Sequence, residues 1–381
     1  MPIDSFISQR CNAVDASGIR KVFDLGARLA DPINLSIGQP DFDVPEPVKE
    51  AAIQAIRGGR NGYTVTQGIP ALRERIEADL EAEYGALNGT GVLVTSGVSG
   101  GILLALMAVL DPGDEVIIPD PYFVIYKHAV RLLGGVPVFA ETYPDFRLHP
   151  ERIEAAVTPR SKVLVLASPS NPTGMILTAD ELREALDLAE RHNLLVICDE
   201  IYNRLAYDGP CPSGFRYRPE RTVLLRGFGK SYGMTGWRLG YAAGPRPLIE
   251  AMTKLQQYTF VCAPSMVQYA GIAAMDVDIG AHVDEFRRRR DFVYAALKDH
   301  YEVARPGGGF YFFPKVPAAY PNATTFVEEA IARNVLIIPG HVFSERDTHF
   351  RLSYAARQST LEKGCAILCA MAKEARMSKS Q

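Results

Sequence analysis

Five short apolar runs recur through the middle of the sequence, and a segment with helical patterning separates each run from the next. They are Val92–Val94, Glu115–Ile118, Lys162–Leu166, Leu194–Cys198 and Val223–Leu225. Apolar strands that alternate with helical segments are typical of βαβ units, in which helices cover both faces of a buried, mostly parallel sheet. The sequence therefore predicts an α/β fold with such a sheet at its centre.

The residues that follow two of these runs are candidates for a ligand site, because ligands of open α/β sheets bind beside the carboxyl ends of strands. Thr95–Gly101 follows the first run as a glycine-rich turn into a helix, where free N–H groups and a positive dipole end would suit a phosphate. Ser and Gly also cap ordinary helices, so this signal alone is weak. Asp199 follows the fourth run, where a buried carboxylate is costly unless a positive group meets it.

Lys230 lies at the centre of the most distinctive stretch of the sequence, Thr222–Tyr241. It follows the fifth apolar run and stands among Gly227, Gly229 and Gly233, shortly before the only tryptophan. Taken alone, Lys230 is better interpreted as a solvated loop lysine. The whole stretch, however, resembles the cofactor-lysine motif of fold-type I pyridoxal-phosphate enzymes, in particular the class I and II aminotransferases of the aspartate, aromatic and alanine aminotransferase-like kind.

Further segments extend this resemblance from about residue 33 to residue 355, in the family's order. Arg238 stands where the family has a phosphate-binding arginine, and Ser168–Gly174 reads Ser-Pro-Ser-Asn-Pro-Thr-Gly, a specific family motif in which we expect a cis peptide after Asn171. The resemblance implies the PLP-dependent transferase (aspartate aminotransferase-like) fold, with a smaller α+β domain beside the sheet. It also implies pyridoxal 5'-phosphate as the cofactor.

The resemblance also assigns roles to individual residues. Lys230 would form the Schiff base, Asp199 would pair with the ring nitrogen and Tyr202 would donate to the phenolate oxygen, and these three are the predicted catalytic residues. The other implied cofactor contacts are Val98, Ser99 and Arg238 to the phosphate, Phe123 stacked on the ring with Tyr122 as the neighbouring alternative, Asn171 to the phenolate oxygen, and Tyr63 to the phosphate in a partner subunit's site. The implied substrate-binding residues are Gly38, Asn171 and Arg351, with Arg351 clamping the α-carboxylate.

These assignments predict an aminotransferase that moves an amino group between an L-amino acid and a 2-oxo acid by a ping-pong mechanism, as a homodimer with shared active sites. A C–S β-lyase on the same scaffold is the alternative, because fold and lysine do not fix the reaction. A regulatory cofactor-binding module is a third interpretation, but the N-terminal arm of roughly thirty residues is short for a DNA-binding domain.

Two departures from the family pattern bear on this prediction. Gly227 and Gly229 replace serines that many relatives carry near the lysine, so hydroxyl contacts to the phosphate would be missing there. Ser99 replaces a lysine found in one group of bacterial aspartate aminotransferases, which weakens a dicarboxylate-specific interpretation. The identity of the amino-acid donor stays open.

With 381 residues, the chain exceeds one typical domain. We expect an N-terminal arm and part of a small domain over 1–44, a large cofactor-binding domain over 45–280, and a C-terminal small domain over 281–381. A net charge of −3 argues against nucleic-acid or membrane partners, and the basic run Arg287–Arg290 should form a solvated helix face. Scattered cysteines and histidines predict no metal, and the lack of a signal or membrane-spanning apolar run predicts a cytoplasmic protein.

Overall fold

Strands and helices alternate along most of the chain in the computed structural model, which describes residues 3–16, 18–26 and 29–378. The strands are β1 Ile33–Asn34, β2 Thr90–Ser96, β3 Glu115–Asp120, β4 Val136–Glu141, β5 Ser161–Ala167, β6 Leu195–Asp199, β7 Thr222–Gly227, β8 Leu239–Pro245, β9 Tyr311–Phe312, β10 Val335–Leu336, β11 Ile338–Pro339 and β12 Phe350–Ser353. The helices are α1 Gln9–Asn12, α2 Gly18–Gly26, α3 Glu46–Arg57, α4 Pro70–Tyr84, α5 Gly97–Val109, α6 Ile125–Leu132, α7 Pro150–Ala155, α8 Ala179–Arg191, α9 Phe228–Ser231, α10 Arg246–Thr259, α11 Ser265–Met275, α12 Gly280–Leu297, α13 Ala323–Ala332 and α14 Gln358–Ser378. Short 3-10 helices lie at Ile3–Phe6, Gly214–Arg216, Pro219–Arg221, Thr235–Trp237 and Gly340–Val342.

The central sheet has seven strands in the order β2-β8-β7-β6-β5-β3-β4. Neighbouring strands are parallel except where β8 pairs with β2 and β7. The predicted mostly parallel sheet is therefore confirmed, and all five apolar runs are strands of it. Sequence analysis missed β4 and β8, because β4 is a partly exposed edge strand and β8 is built largely from small residues, without a long branched apolar run.

Helices cover both faces of this sheet, and the alternation of side chains along β5 shows how. Val163 and Val165 pack in one buried cluster with residues of α5, α6 and α10, whereas Leu164 and Leu166 pack in another with residues of α7 and α8. Successive side chains of a strand point to opposite faces, so one apolar run serves two cores. Each fully buried aliphatic side chain contributes about 1.5–3 kcal/mol.

Segments from both ends of the sequence meet beside the central sheet. β1 pairs in parallel with β10, and β11, β12 and β9 form an antiparallel sheet in that order. α14 packs against α12 and β1. This arrangement brings Gly38, Tyr311 and Arg351 to the edge of the central sheet where its parallel strands end. Within the described residues, no helix is both long and apolar enough to cross a membrane.

The basic run Arg287–Arg290 lies in α12, and the prediction that it is a solvated face is wrong for its last member. Arg290 is fully buried, and its guanidinium donates to Asp208 at 2.7 Å and to Asp291 at 2.9 Å. The guanidinium carbon also lies 5.0 Å from the centroid of the Tyr207 ring. A helix does spread consecutive residues around its surface, but which direction faces a neighbouring loop depends on packing that the sequence does not show.

Candidate active site

A cavity of about 370 Å³ opens where the parallel strands of the central sheet end. Every residue that the sequence analysis assigned to the site lines it, with the exception of Tyr63: Gly38, Val98, Ser99, Phe123, Asn171, Asp199, Tyr202, Lys230, Arg238 and Arg351. They come together because β2, β5, β6 and β7 run in the same direction, so the segments that follow them leave the sheet at one edge.

Lys230 lies in α9, a single helical turn that follows β7 directly. Its Nζ donates a hydrogen bond to the carbonyl oxygen of Gly38. Burial, together with the positive charges of Arg351 and Arg238, lowers the pKa of Lys230 to about 8, while the charge of Asp199 opposes this shift. The amine is therefore substantially neutral near pH 8, as a nucleophile or a general base must be.

Asp199 ends β6 and is almost fully buried at the cavity wall. Its Oδ2 accepts a hydrogen bond from the Tyr126 hydroxyl at 2.7 Å, and its Oδ1 accepts one from the backbone N–H of Ile201 at 3.1 Å. Burial raises the pKa of Asp199, and these two hydrogen bonds work against that rise. A cationic group placed in the cavity would stabilise the ionised form of this buried carboxylate.

Tyr126 was missed by the sequence analysis, although it contacts the predicted acid directly. It lies in the first turn of α6, on the helix face that also buries Ala129 and Val130. A tyrosine on an inward helix face, three residues after Phe123, is the available sequence signal. The signal is weak because aromatic residues on such faces usually fill a core.

A pair of tyrosines closes another side of the cavity. The hydroxyls of Tyr202 and Tyr311 lie 3.0 Å apart, and both side chains are buried. Tyr311 comes from β9, and the sequence analysis did not identify it as a site residue. Nothing in the sequence near Tyr311 links it to Tyr202, because the two residues meet only through the tertiary fold.

Arg351 lies in β12 and is almost completely buried. Its Nη1 donates to Asn171 Oδ1 at 3.0 Å, its Nη2 donates to the carbonyl oxygen of Ser36 at 2.8 Å, and its Nε has no partner among the described residues. The guanidinium carbon lies 4.5 Å from the ring centroids of both Tyr311 and Phe343. An arginine fixed on two sides, with a donor still unpaired, is suited to clamp a carboxylate.

The amino end of α5 meets Arg238 at the opposite part of the cavity. Gly97 begins α5 with φ +67°, and no side chain caps this helix end. A Cβ atom on Gly97 would lie 2.6 Å from Nη2 of Arg238, so glycine is required for the arginine to lie across the helix end. Free N–H groups, a helix dipole and a guanidinium together make a binding place for a phosphate.

Two aromatic residues of the β3–α6 turn point in different directions. Phe123 lines the cavity, whereas Tyr122 stacks on Phe139 with ring centroids 5.0 Å apart and donates from its hydroxyl to Glu345 at 2.6 Å. The structure thus brings Phe123, rather than Tyr122, to this cavity. The cis peptide of the neighbouring turn is Ser168–Pro169, so the prediction of one after Asn171 was wrong.

Position 227 leaves little room for a serine side chain. A Cβ atom on Gly227 would lie 3.0 Å from side-chain atoms of Ile201 and Val98 and 3.2 Å from the carbonyl oxygen of Leu239. At Gly229 the nearest atoms would be at 3.5 Å or more, so the same explanation does not apply there.

Tyr63 lies outside the cavity and is 89% exposed, on the loop between α3 and α4. The loop itself is well anchored, because the side-chain amide of Gln268 donates to the Thr64 hydroxyl at 3.0 Å and that of Gln256 donates to the carbonyl oxygen of Thr66. A fixed loop that presents an exposed aromatic side chain is typical of an interface.

Known proteins resemble this chain over nearly its whole length. The family model for aminotransferases of class I and II matches residues 30–368. A probable aspartate aminotransferase of Methanocaldococcus jannaschii is 36% identical over 95% of this chain and 98% of that protein, and aromatic-amino-acid aminotransferase 2 of Thermococcus litoralis is 37% identical over 94% and 96%. The solved structure of Thermus thermophilus aspartate aminotransferase with maleate superimposes with a TM-score of 0.91 at 36% identity, covering 96% of this chain and 99% of that one.

Proposed function

The chain belongs to the class I and II aminotransferases, which move amino groups between amino acids and 2-oxo acids, and we propose that it does so with pyridoxal 5'-phosphate in the cavity described above. The observation that carries this proposal is the pairing of Lys230, whose pKa is about 8, with the buried carboxylate of Asp199 in one cavity. The relatives favour transamination over β-elimination, since those compared are named aminotransferases.

The side chains of the cavity fit this cofactor. Asp199 offers a buried carboxylate to a protonated ring nitrogen, and Tyr126 and the backbone of Ile201 hold that carboxylate in place. Phe123 offers a ring face, and Tyr202 offers a hydroxyl. These groups match a flat aromatic cation with a phenolate oxygen.

The phosphate would lie at the amino end of α5. The backbone of Val98, the backbone and hydroxyl of Ser99, and the guanidinium of Arg238 are the proposed donors, and the fit depends on the absence of a side chain at Gly97. Tyr63 of the partner subunit would add a hydroxyl, which makes the enzyme a homodimer with shared sites. Support for this last step is the exposure of Tyr63 on a fixed loop.

When bound, pyridoxal phosphate supplies an aldehyde that reacts with amines and a ring that accepts electrons. Arg351 and Asn171 would hold the substrate α-carboxylate, with the backbone of Gly38 beside them. Lys230 Nζ, neutral above about pH 8, would take the proton from the α-carbon of the bound amino acid. Asp199 would hold a negative charge against the ring nitrogen, and Tyr311 would keep Tyr202 in place through the contact of their hydroxyls.

We also propose the domain division given above, with residues 1–44 as arm and part of the small domain, 45–280 as the large domain and 281–381 as the small domain. The pairing of β1 with β10 supports the assignment of the N-terminal segment, because it ties residues 33–34 to residues 335–336. The start of α12 at Gly280 supports the second boundary.

A half-reaction tests the proposal. Enzyme saturated with pyridoxal phosphate should show an imine absorbance band that is lost when a single amino acid is added without an acceptor, with one equivalent of 2-oxo acid formed per site. Lys230→Ala should abolish this conversion, and Lys254→Ala, which removes an exposed lysine of α10, should not. Continuous release of pyruvate and ammonia would instead identify a β-lyase, and the lack of an imine band would refute the role of Lys230.

A further inference from the structure

The cavity also bears on which amino acids the enzyme takes, an inference that rests on the proposed function. We propose that the donor carries an uncharged, apolar side chain, and that dicarboxylic amino acids are poor substrates. Two observations carry this proposal: each charged side chain among the described residues that line the cavity has a proposed role of its own, and the wall next to the carboxylate clamp is apolar.

The first observation concerns charge. Among the described residues that line the cavity, the charged side chains are those of Asp199, Lys230, Arg238 and Arg351. Arg351 is needed for the α-carboxylate, Arg238 for the phosphate, and Lys230 for the reaction itself. Among the described residues of this chain, a second substrate carboxylate would therefore meet no cation that is free of these roles, and burying an unpaired charge is strongly disfavoured.

The second observation concerns Ile37, which stands directly before Gly38. A Cβ atom on Gly38 would lie 4.0 Å from Nη2 of Arg351 and 2.7 Å from the Tyr311 hydroxyl, so this segment runs along the clamp. Ile37 lines the cavity at that point. A substrate held by Arg351 would place its side chain close to this apolar surface.

Ile19 extends the apolar wall from α2. It lines the cavity and packs at the edge of a buried cluster that contains Phe343, whose ring lies 4.5 Å from the Arg351 guanidinium. Gly18 and Gly26 let α2 approach this cluster closely, because a Cβ atom on either glycine would lie within 2.4 Å of a side-chain atom of Val342 or Leu336. The position of Ile19 is thus set by packing.

The uncharged polar groups nearby do not replace a cation. Gln39 lines the cavity but is exposed to solvent, so it stands at the rim. Ser99 belongs to the proposed phosphate cradle. An amide or a hydroxyl can donate a hydrogen bond to a carboxylate, yet neither neutralises its charge. Burial of the donor's methylene groups against Ile19 and Ile37, in contrast, would stabilise the bound donor.

The test compares donors in the half-reaction, using native enzyme loaded with pyridoxal phosphate. The measured quantity is the second-order rate constant for conversion of the cofactor by each donor. This constant should be roughly 100-fold higher or more for leucine, methionine or phenylalanine than for aspartate or glutamate. Calorimetry with inert acids gives a readout that needs no turnover. We expect 4-methylpentanoate to bind more tightly than succinate.

A matched pair of variants on α2 tests whether the apolar wall formed by Ile19 and Ile37 causes the preference for apolar donors. Ile19→Lys brings a cation to the cavity and should raise the aspartate-to-leucine efficiency ratio at least about tenfold, together with the affinity for succinate. Leu25→Lys introduces the same charge on the same helix at a side chain that is 45% exposed and outside the cavity. The Leu25→Lys variant should therefore keep the aspartate-to-leucine efficiency ratio of the native enzyme. The imine absorbance band of each variant shows whether its site is still intact.

The outcomes separate the two proposals. If no donor of either class converts the cofactor, the proposed function fails and this inference fails with it. If aspartate or glutamate reacts as fast as leucine, the aminotransferase function stands and the inference is overturned. An Ile19→Lys variant that keeps the native ratio would equally overturn it, because Ile19 would then not face the donor side chain.

Discussion

At the scale of single residues, the cavity holds two ionisable groups of opposite sign that burial drives towards their neutral forms. Burial lowers the pKa of Lys230 and raises that of Asp199. Such opposed shifts in one cleft are typical of functional sites, since an exposed pair would keep ordinary values. A cofactor with a cationic ring would restore the charge of the carboxylate while the amine stays reactive.

The pKa of Lys230 leads to a testable pH dependence. Only the neutral amine attacks an aldehyde, so the rate at which cofactor-free enzyme captures pyridoxal phosphate should rise with pH and reach half its maximum near about pH 8. Stopped-flow absorbance at several pH values measures this. Asp199→Asn should shift the midpoint to lower pH, because the aspartate charge favours the protonated amine. A midpoint near the ordinary lysine value of 10.5 would contradict the argument.

Tyr126 offers a second prediction at this scale. Tyr126→Phe removes the hydroxyl that donates to Asp199 at 2.7 Å, which should raise the pKa of that carboxyl further and weaken its hold on the cofactor. A hydrogen bond to a charged group contributes about 1.5–3 kcal/mol, so the dissociation constant for pyridoxal phosphate should rise roughly 10-fold or more. Equilibrium dialysis measures this constant, and the pH profile of kcat should shift with it.

Tyr122→Phe is the matched control for that variant. Tyr122 belongs to the same turn, but its hydroxyl donates to Glu345 away from the cavity. We expect it to leave cofactor affinity close to the native value. Equal effects of the two substitutions would mean that the loss at Tyr126 is structural and does not act through Asp199.

At the scale of elements, the proposed phosphate site at the amino end of α5 depends on how closely β8 packs against that helix. Gly240 of β8 lies so close to the amino end of α5 that a Cβ atom on it would be 2.8 Å from the carbonyl carbon of Gly97. Arg238 has φ +57°, a left-handed conformation just before β8 begins. The antiparallel strand β8 thus delivers the arginine to the end of a helix that follows β2.

Gly97→Ala tests this construction. The added methyl group would collide with the Arg238 guanidinium, so affinity for pyridoxal phosphate should fall by roughly 10-fold or more, while affinity for pyridoxal, which lacks the phosphate, should change much less. Gly113→Ala is the control, because Gly113 also has positive φ but has no atom within 4 Å of its Cβ position. Both variants carry a similar backbone cost of about 1–2 kcal/mol. Similar losses for both ligands would argue against a phosphate at this helix end.

At the scale of the whole molecule, Tyr63 is the predicted site residue that does not reach the cavity of its own chain. It is 89% exposed, and the other exposed apolar side chains include those of Tyr258 and Val261. A hydroxyl that serves a partner's site would explain both the exposure and the rigid loop. The proposal makes the complete site a property of the dimer.

Mixed dimers test this point. A Lys230→Ala subunit paired with a Tyr63→Ala subunit has one site with an intact lysine and an intact partner tyrosine, so co-refolded mixtures should recover activity approaching half of the native value per hybrid dimer. Each variant alone should show little activity, measured by the half-reaction and by turnover. If Tyr63 served its own chain, the mixture would recover nothing beyond the Tyr63→Ala level, since no site would then be complete.

The sequence alone determined the parallel strands and much of the predicted site. Apolar runs such as Val223–Leu225 identify strands because a short, continuous apolar segment is stable only when both of its faces are buried. The residues that follow parallel strands then lie together at the carboxyl edge of the sheet. Asp199 and Lys230 follow such runs, whereas Arg238 and the roles of all three residues were implied by the resemblance to the aminotransferase motifs. Such features are encoded within short segments, so a reader of the sequence can recover them.

Only the tertiary structure decided the contacts between segments that are distant in the sequence. The Tyr126 bond to Asp199, the approach of Tyr311 to Tyr202 and the burial of Arg290 against Asp208 each join residues separated by 73 to 109 positions. Strand β8, which is rich in small residues and antiparallel to its neighbours, was likewise recognised only from the folded sheet. The physical reason is that local patterns fix which residues are buried, whereas the partner of a buried polar group depends on the packing of the whole chain.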